Sequence, residues 1–359
     1  MKEFSSRTMI LMEDAGIALK SLGSRRLLLV SDPYFEKNGL AKTLLTACGA
    51  SETALFSQVT PDPSLELAAQ GTALVKEFAP DTVVALGGGS AMDCAKAMVY
   101  FSGMVIRLVA IPTTSGSGSE VTDFAILTHE STKHPLVDRR LCPEIAILDE
   151  KLLAQLPPGL IADGGFDVLS HALESYVATN ANPFTDALAK DAFCTALTHL
   201  YPSFRGNTAL RQPMHCASTM AGMAFTQAGL GLCHAISHSL GGLFHLPHGR
   251  LNAILLPAVV LCNAQTAGEK YARLARAAGL GSAADTLAVR NLVNELTRLR
   301  RQLNLPDTLA GAGIPPQQVR RQQEQIIAAA MADPCSCTNP RKAEPALIRA
   351  ILEEVTGRG

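Results

Sequence analysis

Residues 83–98 read VVALGGGSAMDCAKAM: an unbroken aliphatic run, three consecutive glycines, a hydroxyl, then a stretch of helical composition. An aliphatic run without polar alternation belongs to a strand buried on both faces, as in a parallel sheet covered by helices. At the carboxyl end of such a strand, glycines let the backbone turn and approach a ligand, and the next helix offers unpaired N–H groups to phosphate. GGGS is not the usual GxGxxG pattern, and a plain strand–helix turn has the same local reading.

The flanking segments decide the class. Aliphatic strands are predicted at 26–31, 82–86, 108–111 and 145–148, with helices at 40–47, 65–78 and 92–101 between them. This alternation predicts an α/β N-terminal dinucleotide-binding domain with a Rossmann-like parallel sheet, over residues 1–156. After Pro157 and Pro158 the pattern becomes Ala-, Leu- and His-rich with almost no strand signal, which predicts an all-α C-terminal metal-binding domain over 157–359. Pro202, Pro213, Pro247, Pro257, Pro306 and the Pro315-Pro316 pair read as helix boundaries. The Arg-rich run at 289–303 reads as the solvated face of a helix.

Composition narrows the function. The 359 residues hold 31 Lys+Arg against 32 Asp+Glu, a net charge of −1, which excludes a strongly basic nucleic-acid binder. With 47% hydrophobic and 18% charged residues the chain is globular and enzyme-sized. Nine cysteines, an odd number without any CxxC, read as reduced thiols of a cytoplasmic protein, and Cys335 and Cys337 lie too close in sequence for an ordinary bridge. The opening MKEFSSRTMILMEDAG lacks the apolar core of a secretory signal. The most apolar stretch, 253–262, is interrupted by Pro257 and is about half of the ~20 residues a membrane span needs, so no membrane partner is expected.

Two further segments extend the phosphate-binding reading. The strand ending at Pro112 runs into Thr113, Thr114, Ser115, Gly116 and Ser117, hydroxyls and backbone amides suited to a second part of the ligand. Asp32 ends the first strand, where a carboxylate hydrogen-bonds a ribose diol and repels a 2′-phosphate, favouring NAD(H) over its phosphorylated form. Asp32 before Pro33 is equally an ordinary turn initiator.

The helical half holds a different chemistry. Asp167 and His171 are four apart in GFDVLSHALE, His234 and His238 four apart in GLGLCHAISHSLGG, and His248 follows in FHLPHG. Residues four apart share a helix face, and two such pairs plus a third histidine in an apolar context suggest a metal site. One carboxylate with three imidazoles suits Fe²⁺ or Zn²⁺ rather than Mg²⁺ or Ca²⁺. His245 fits either a supporting position or a substrate pocket. His129, His134, His199 and His215 lack such spacing, and Cys233, adjacent to His234 on the helix, points about 100° away from it.

Taken together, GGGSAMDCAK, IPTTSGSGSEVT, ILDEKLLAQLPP, DVLSHALESY, AGMAFTQAGLGLCHAISHSLGG and FHLPHGRLNAILLP resemble the iron-dependent (group III) alcohol dehydrogenases in the family's own order. LGGLFHLPHG and TNPR most resemble the members that act as 1-propanol dehydrogenases in propanediol-utilisation microcompartments. The resemblance implies NADH-dependent reduction of short aldehydes such as propanal and acetaldehyde, and the reverse reaction, with Fe²⁺ as Lewis acid and Zn²⁺ as the other candidate. It implies metal ligands at Asp167, His171, His234 and His248 and a proton-handling role for His238. It also implies NAD contacts at Asp32, Gly88, Gly89, Ser90, Thr113, Thr114, Ser115, Gly116, Ser117, Thr122 and Lys133. A homodimer, cytoplasmic or packaged with microcompartment shell or enzyme partners, is implied in the same way. The alternatives are a zinc-dependent glycerol or polyol dehydrogenase of the same fold, and a non-catalytic NAD-binding microcompartment protein. Two departures from the family pattern stand out: ADGGFD before Asp167 where relatives have a Thr-Gly pair, and Arg250 in place of an apolar residue after PHG.

Overall fold

The computed structural model describes residues 4–130 and 132–357. The chain divides into two compact units, Ser5–Leu156 and Pro157–Gly359, the second including Phe4.

The N-terminal unit contains strands β1 (Met9–Leu11), β2 (Arg26–Ser31), β3 (Glu52–Phe56), β4 (Thr82–Gly87), β5 (Arg107–Pro112), β6 (Phe124–His129), β7 (Thr132–Val137) and β8 (Ile145–Ile147). Its helices are α1 (Ala15–Ser21), α2 (Pro33–Lys37), α3 (Leu40–Ala47), α4 (Leu65–Phe78) and α5 (Gly89–Ser102). Six strands form one sheet in the order β1-β8-β5-β4-β2-β3, and every pairing in it is parallel. Strands β6 and β7 form a separate antiparallel ribbon.

The aliphatic runs are unbroken because both faces of the sheet are covered. Val83 and Ala85 of β4 join Leu28, Val30, Leu108 and Ala110 in a core with Val75 of α4 and Met92 and Met98 of α5. Val84 and Leu86 point the other way, into a core with Leu27, Leu29, Val109, Ile111, Leu19 of α1 and Leu44 of α3. Successive side chains of a strand alternate between faces, so each central strand needs apolar residues at every position.

Helices α1 and α2 escape the sequence reading, and so do β1, β3 and the β6–β7 ribbon. β1 has three residues, and the outer strand β3 is exposed over its first two positions, so neither shows a buried run. The β6–β7 ribbon carries Lys133, His134 and Pro135, which interrupt the expected composition of a strand. The strand order reverses between β2, whose successor β3 lies on one side, and β4, which lies on the other. That switch point is where open parallel sheets bind ligands, beyond the carboxyl ends of the strands.

The C-terminal unit is helical, with no strand among its described residues: α6 (Pro158–Val177), α7 (Pro183–Phe204), α8 (Arg211–Ala228), α9 (Leu232–Phe244), α10 (His248–Ala277), α11 (Asp285–Gln302), α12 (Pro316–Ala332) and α13 (Pro345–Thr356). Helix α6 is almost wholly buried and packs against α7, α8 and α10. The proline reading needs correction at Pro257, whereas Pro202 and Pro213 fall within a turn of a helix end. Pro202 lies inside the last turn of α7, Pro213 in the first turn of α8, and Pro257 within α10. In a first turn the missing N–H is unpaired anyway. For α10, burial along 30 residues outweighs the roughly 3 kcal/mol that an interior proline costs. Helix α10 is therefore long and apolar enough to cross a membrane by length and composition, but 67% of its most apolar window is buried in the protein.

Gly249 explains how α10 starts where it does. A Cβ there would overlap the backbone carbonyl oxygen of Asp163, so only glycine lets the first turn of α10 lie directly on α6. That contact places His248 beside Asp167. We expect Gly249→Ala to lose about 1–3 kcal/mol of stability in urea unfolding, as overpacked cores do. An unchanged midpoint would show that the two helices separate without cost.

Candidate active site

In the N-terminal unit the sheet gathers three sequence-predicted segments at one edge. Ser31 of β2 is in register with Leu86 of β4, and Gly87 with Pro112 of β5, so Asp32, Gly88, Gly89, Ser90 and the loop from Thr113 follow neighbouring strand ends. Thr113 N–H donates to the Gly87 carbonyl at 2.9 Å. The loops pack tightly: a Cβ on Gly88 would stand 3.2 Å from Thr114 Oγ1, and one on Gly89 3.3 Å from Ser117 Oγ. Gly88 caps α5 without any side-chain hydrogen bond, which leaves the first N–H groups of a 14-residue helix facing this rim. Asp32 performs the turn-initiating task as well: its Oδ1 accepts from Tyr34 N–H at 2.8 Å and caps α2. Its Oδ2 lies 3.9 Å from where a Cβ on Gly87 would stand, at the switch point.

Thr122 and Lys133 are engaged elsewhere. Lys133 on β7 pairs with Asp62 at 2.7 Å. Thr122 serves Lys96, a residue the sequence reading passed over. The buried Lys96 Nζ donates to Thr122 Oγ1 (2.8 Å), Thr122 O (3.0 Å), Phe124 O (2.8 Å) and Ser119 Oγ (3.0 Å). Ser119 Oγ in turn donates to Asp93 Oδ1 at 2.9 Å, and Asp93 Oδ2 accepts from Ile126 N–H at 3.1 Å. This network fastens the segment after the hydroxyl loop to α5. The available signal was Asp93 and Lys96, three apart among apolar residues of the GGGSAMDCAK helix.

In the C-terminal unit, Asp167 and His171 on α6, His234 on α9 and His248 at the start of α10 converge. One donor atom from each lies within 4.8 Å of all the others. Asp167 Oδ1 is 3.9 Å from His171 Nε2, 3.8 Å from His234 Nε2 and 3.6 Å from His248 Nε2. Four donors about 2.1 Å from a shared tetrahedral centre stand roughly 3.4 Å apart, so the set is close to the size a divalent transition metal requires. No thiolate belongs to it.

The surrounding groups set which nitrogen His234 and His248 present. Glu174 Oε2 accepts from His234 Nδ1–H at 2.7 Å, leaving Nε2 toward the cluster. The same carboxylate accepts from the N–H groups of Gly231 (2.9 Å) and Cys233 (2.7 Å), capping α9. Ser237 Oγ donates to the His234 carbonyl at 3.1 Å, so its lone pairs are available to His248 Nδ1 at 3.3 Å. Asn252 Nδ2 donates to Asp167 Oδ1 at 2.9 Å. His171 stacks between Phe225 (4.3 Å) and His234 (4.5 Å).

Electrostatics follow the geometry. Burial pushes the Asp167 carboxyl upward, but His171 and His248 beside it hold it well below the usual carboxylate range. Burial opposes charge on His234, yet Asp167 and Glu174 on either side raise it to about 9. For His248 burial outweighs the attraction of Asp167, and it falls well below its usual value.

The two departures in the motifs meet each other. Arg250 forms a bidentate pair with Asp163, Nε to Oδ1 at 3.2 Å and Nη2 to Oδ2 at 3.0 Å, bolting α10 to α6 one turn before Asp167. The TNPR motif braces the loop that caps α9: Thr338 Oγ1 donates to Leu230 O at 2.7 Å, and Asn339 Oδ1 accepts from Leu232 N–H at 3.2 Å. His238 lies one turn beyond His234, its ring stacked on His248 with centroids 5.0 Å apart. His245 is an exposed left-handed C-cap of α9, a backbone role that neither sequence alternative anticipated. Cys233 is buried and donates toward Asn252, outside the cluster, as expected.

A parallel sheet with a glycine loop at its switch point and a helical unit with an Asp-His₃ cluster are features that suit an enzyme using a dinucleotide and a metal ion. Comparison with known families agrees: the iron-containing alcohol dehydrogenase model matches residues 11–150, and the model for the C-terminal part of the Fe-containing alcohol dehydrogenase family matches 161–356. The chain belongs to the iron-containing alcohol dehydrogenase family, and it is an alcohol dehydrogenase. It is 41% identical to the 1-propanol dehydrogenase of Citrobacter freundii over 99% of this chain and 100% of that one. It is 38% identical to the NADPH-dependent butanol dehydrogenase of Clostridium saccharobutylicum over 84% of this chain and 83% of that one. The iron-containing alcohol dehydrogenase of Thermococcus thioreducens superposes with a TM-score of 0.91 at 30% identity, covering 98% of this chain and 99% of that one.

Two expectations follow. Removing the negative charge beside His234 by Glu174→Gln should weaken metal affinity about 10–100-fold, measured by competition with a chelator; undiminished affinity would show that the carboxylate only caps α9. Burial lowers Lys96 to about 8. Between pH 8 and about 10.5 the native protein sheds this proton while the unfolded chain still holds it, so stability rises with pH through that window. Lys96→Met should therefore show a shallower rise than the parent over pH 8–10 in urea unfolding, and equal slopes would refute the assignment.

Proposed function

We propose that this protein reduces short-chain aldehydes such as propanal and acetaldehyde to primary alcohols with NADH, and catalyses the reverse reaction, using Fe²⁺ held by Asp167, His171, His234 and His248. The observation that supports it most is the Asp-His₃ cluster, three of its four members buried, with three Nε2 atoms 3.6–3.9 Å from one carboxylate oxygen. A divalent ion bound there supplies a Lewis acid for the aldehyde oxygen. Zn²⁺ stands above Fe²⁺ in the affinity order, so the donor set accepts both, and the choice of iron rests on the family.

The remaining roles belong to the chain. Glu174 and Ser237 orient His234 and His248. His238, whose ring stacks on His248, hands a proton to the product oxygen. Residues 1–156 form the dinucleotide-binding domain and 157–359 the catalytic one. The start of α5 with Gly88, Gly89 and Ser90 takes the pyrophosphate, assisted by Thr113, Thr114, Ser115, Gly116 and Ser117. Thr122 acts through its bond to Lys96, and Lys133 through the ribbon it anchors. Asp32 Oδ2 receives the ribose diol and repels a 2′-phosphate, which favours NADH although the butanol dehydrogenase relative is NADPH-dependent. A homodimer, packaged in a microcompartment, is part of the same reading and rests on the resemblance to 1-propanol dehydrogenases.

The test is cofactor oxidation with propanal, using metal-stripped protein reloaded anaerobically with Fe²⁺ or Zn²⁺, and NADH or NADPH. Stripped protein should be inactive, Fe²⁺ should restore more activity than Zn²⁺, and NADH should be used far better than NADPH. Full activity without metal would overturn the mechanism. Strong activity on glycerol with none on propanal would favour a polyol dehydrogenase.

A further inference from the structure

Asp333 ends α12 and opens the short 3-10 turn Pro334–Thr338. Its two carboxylate oxygens have different partners. Oδ1 accepts from Cys335 N–H at 2.8 Å, and Oδ2 lies 2.8 Å from His238 Nδ1. Both side chains are largely covered, Asp333 at 16% exposure and His238 at 22%. Neither residue belongs to the Asp-His₃ cluster, yet the His238 ring stacks on His248 and meets the edge of His234.

We infer that Asp333 is the positioning residue that selects the tautomer of His238, holding the proton on Nδ1 so that Nε2 alone exchanges protons with substrate or solvent. An ionised carboxylate has no proton to give, so the hydrogen in the 2.8 Å contact is on Nδ1. Burial raises the Asp333 carboxyl, but His238 and the Cys335 N–H more than offset that and bring it to about 2, so it stays ionised. The proton balance is closed. A proton taken up from water at Nε2 is passed to the product oxygen, and the ring returns to the form that carries its proton on Nδ1 only. A buried carboxylate orienting a histidine in this way is the logic of the hydrolase triads. The catalytic meaning of the arrangement rests on the proton-donor reading of His238; the tautomer itself does not.

The cap makes one substitution diagnostic. In Asp333→Asn the Cys335 N–H still requires an acceptor, so the amide oxygen stays with it and the NH₂ group faces His238. Nδ1 must then accept, and the ring proton moves to Nε2. The experiment is ¹⁵N-histidine NMR on the Zn²⁺-loaded, diamagnetic holoenzyme, with the His238 signals identified by their loss in His238→Gln, alongside kinetics and metal content of the same preparations. In the neutral His238 ring of the parent, Nδ1 should show the protonated-nitrogen signature and Nε2 the unprotonated one. Asp333→Asn should exchange the two, lower kcat by about 10²–10⁴ with KM changed far less, and retain full metal content.

A parent carrying its proton on Nε2 overturns the proposal, and this measurement stands even if the variant does not fold. An Asp333→Asn protein that keeps the parent tautomer, or loses kcat together with its metal, overturns it as well. Exchanged tautomers with unchanged kcat would uphold tautomer selection by Asp333 and refute instead the proton-donor reading of His238.

Discussion

Four groups that prefer water, one carboxylate and three imidazoles, are drawn within 4.8 Å of each other in the helical unit, and the neighbouring side chains are organised to make that tolerable. Asp167, His171 and His234 are buried. Burying a carboxylate alone is strongly unfavourable, and its imidazole neighbours keep Asp167 ionised. The assembly therefore depends on three helices meeting at one point: α6 contributes two groups, α9 one, and α10 one through the close approach that Gly249 permits.

Hydrogen bonds to the far nitrogens are the second requirement. An imidazole is useful to a metal only when its remaining N–H is directed elsewhere. Glu174 does this for His234, and Ser237 is placed to do it for His248. Glu174 also caps α9, so the helix start and the orientation of the His234 ring rest on one carboxylate. The TNPR segment, more than a hundred residues later in the chain, supports that cap through Thr338 and Asn339. Asn339 exchanges two further bonds with Asn263 on α10, at 2.8 and 2.9 Å, so the brace reaches into the longest helix of the unit.

The N-terminal unit solves a different problem with similar means. A rim made of glycines and small hydroxyls has little side-chain mass with which to hold its shape. Lys96 compensates from below, spending its protons on two residues of the segment that follows the hydroxyl loop and on Phe124 at the start of the ribbon. Asp93 closes the network, itself pushed upward by burial and eased by Lys96.

Much of this was legible in the chain itself. The central strands, the helices 40–47 and 65–78, the glycine and hydroxyl loops, and the candidate cluster Asp167, His171, His234 and His248 were legible from aliphatic runs, helical periodicity, residues four apart and short motifs. A residue's own neighbours determine such features. The edge strands β1 and β3 and the β6–β7 ribbon were not legible, because a half-exposed strand needs no aliphatic run. Pro257 was misread as a boundary because propensity is local, whereas the burial that carries α10 past it is not. The supporting residues were decided by tertiary structure alone. Glu174 meets His234 across sixty positions, Asp333 meets His238 across ninety-five, and Asp163 meets Arg250 across eighty-seven. No period or motif links such pairs; only the packing of helices brings the two groups together, and the fold, by excluding water, makes their pairing matter.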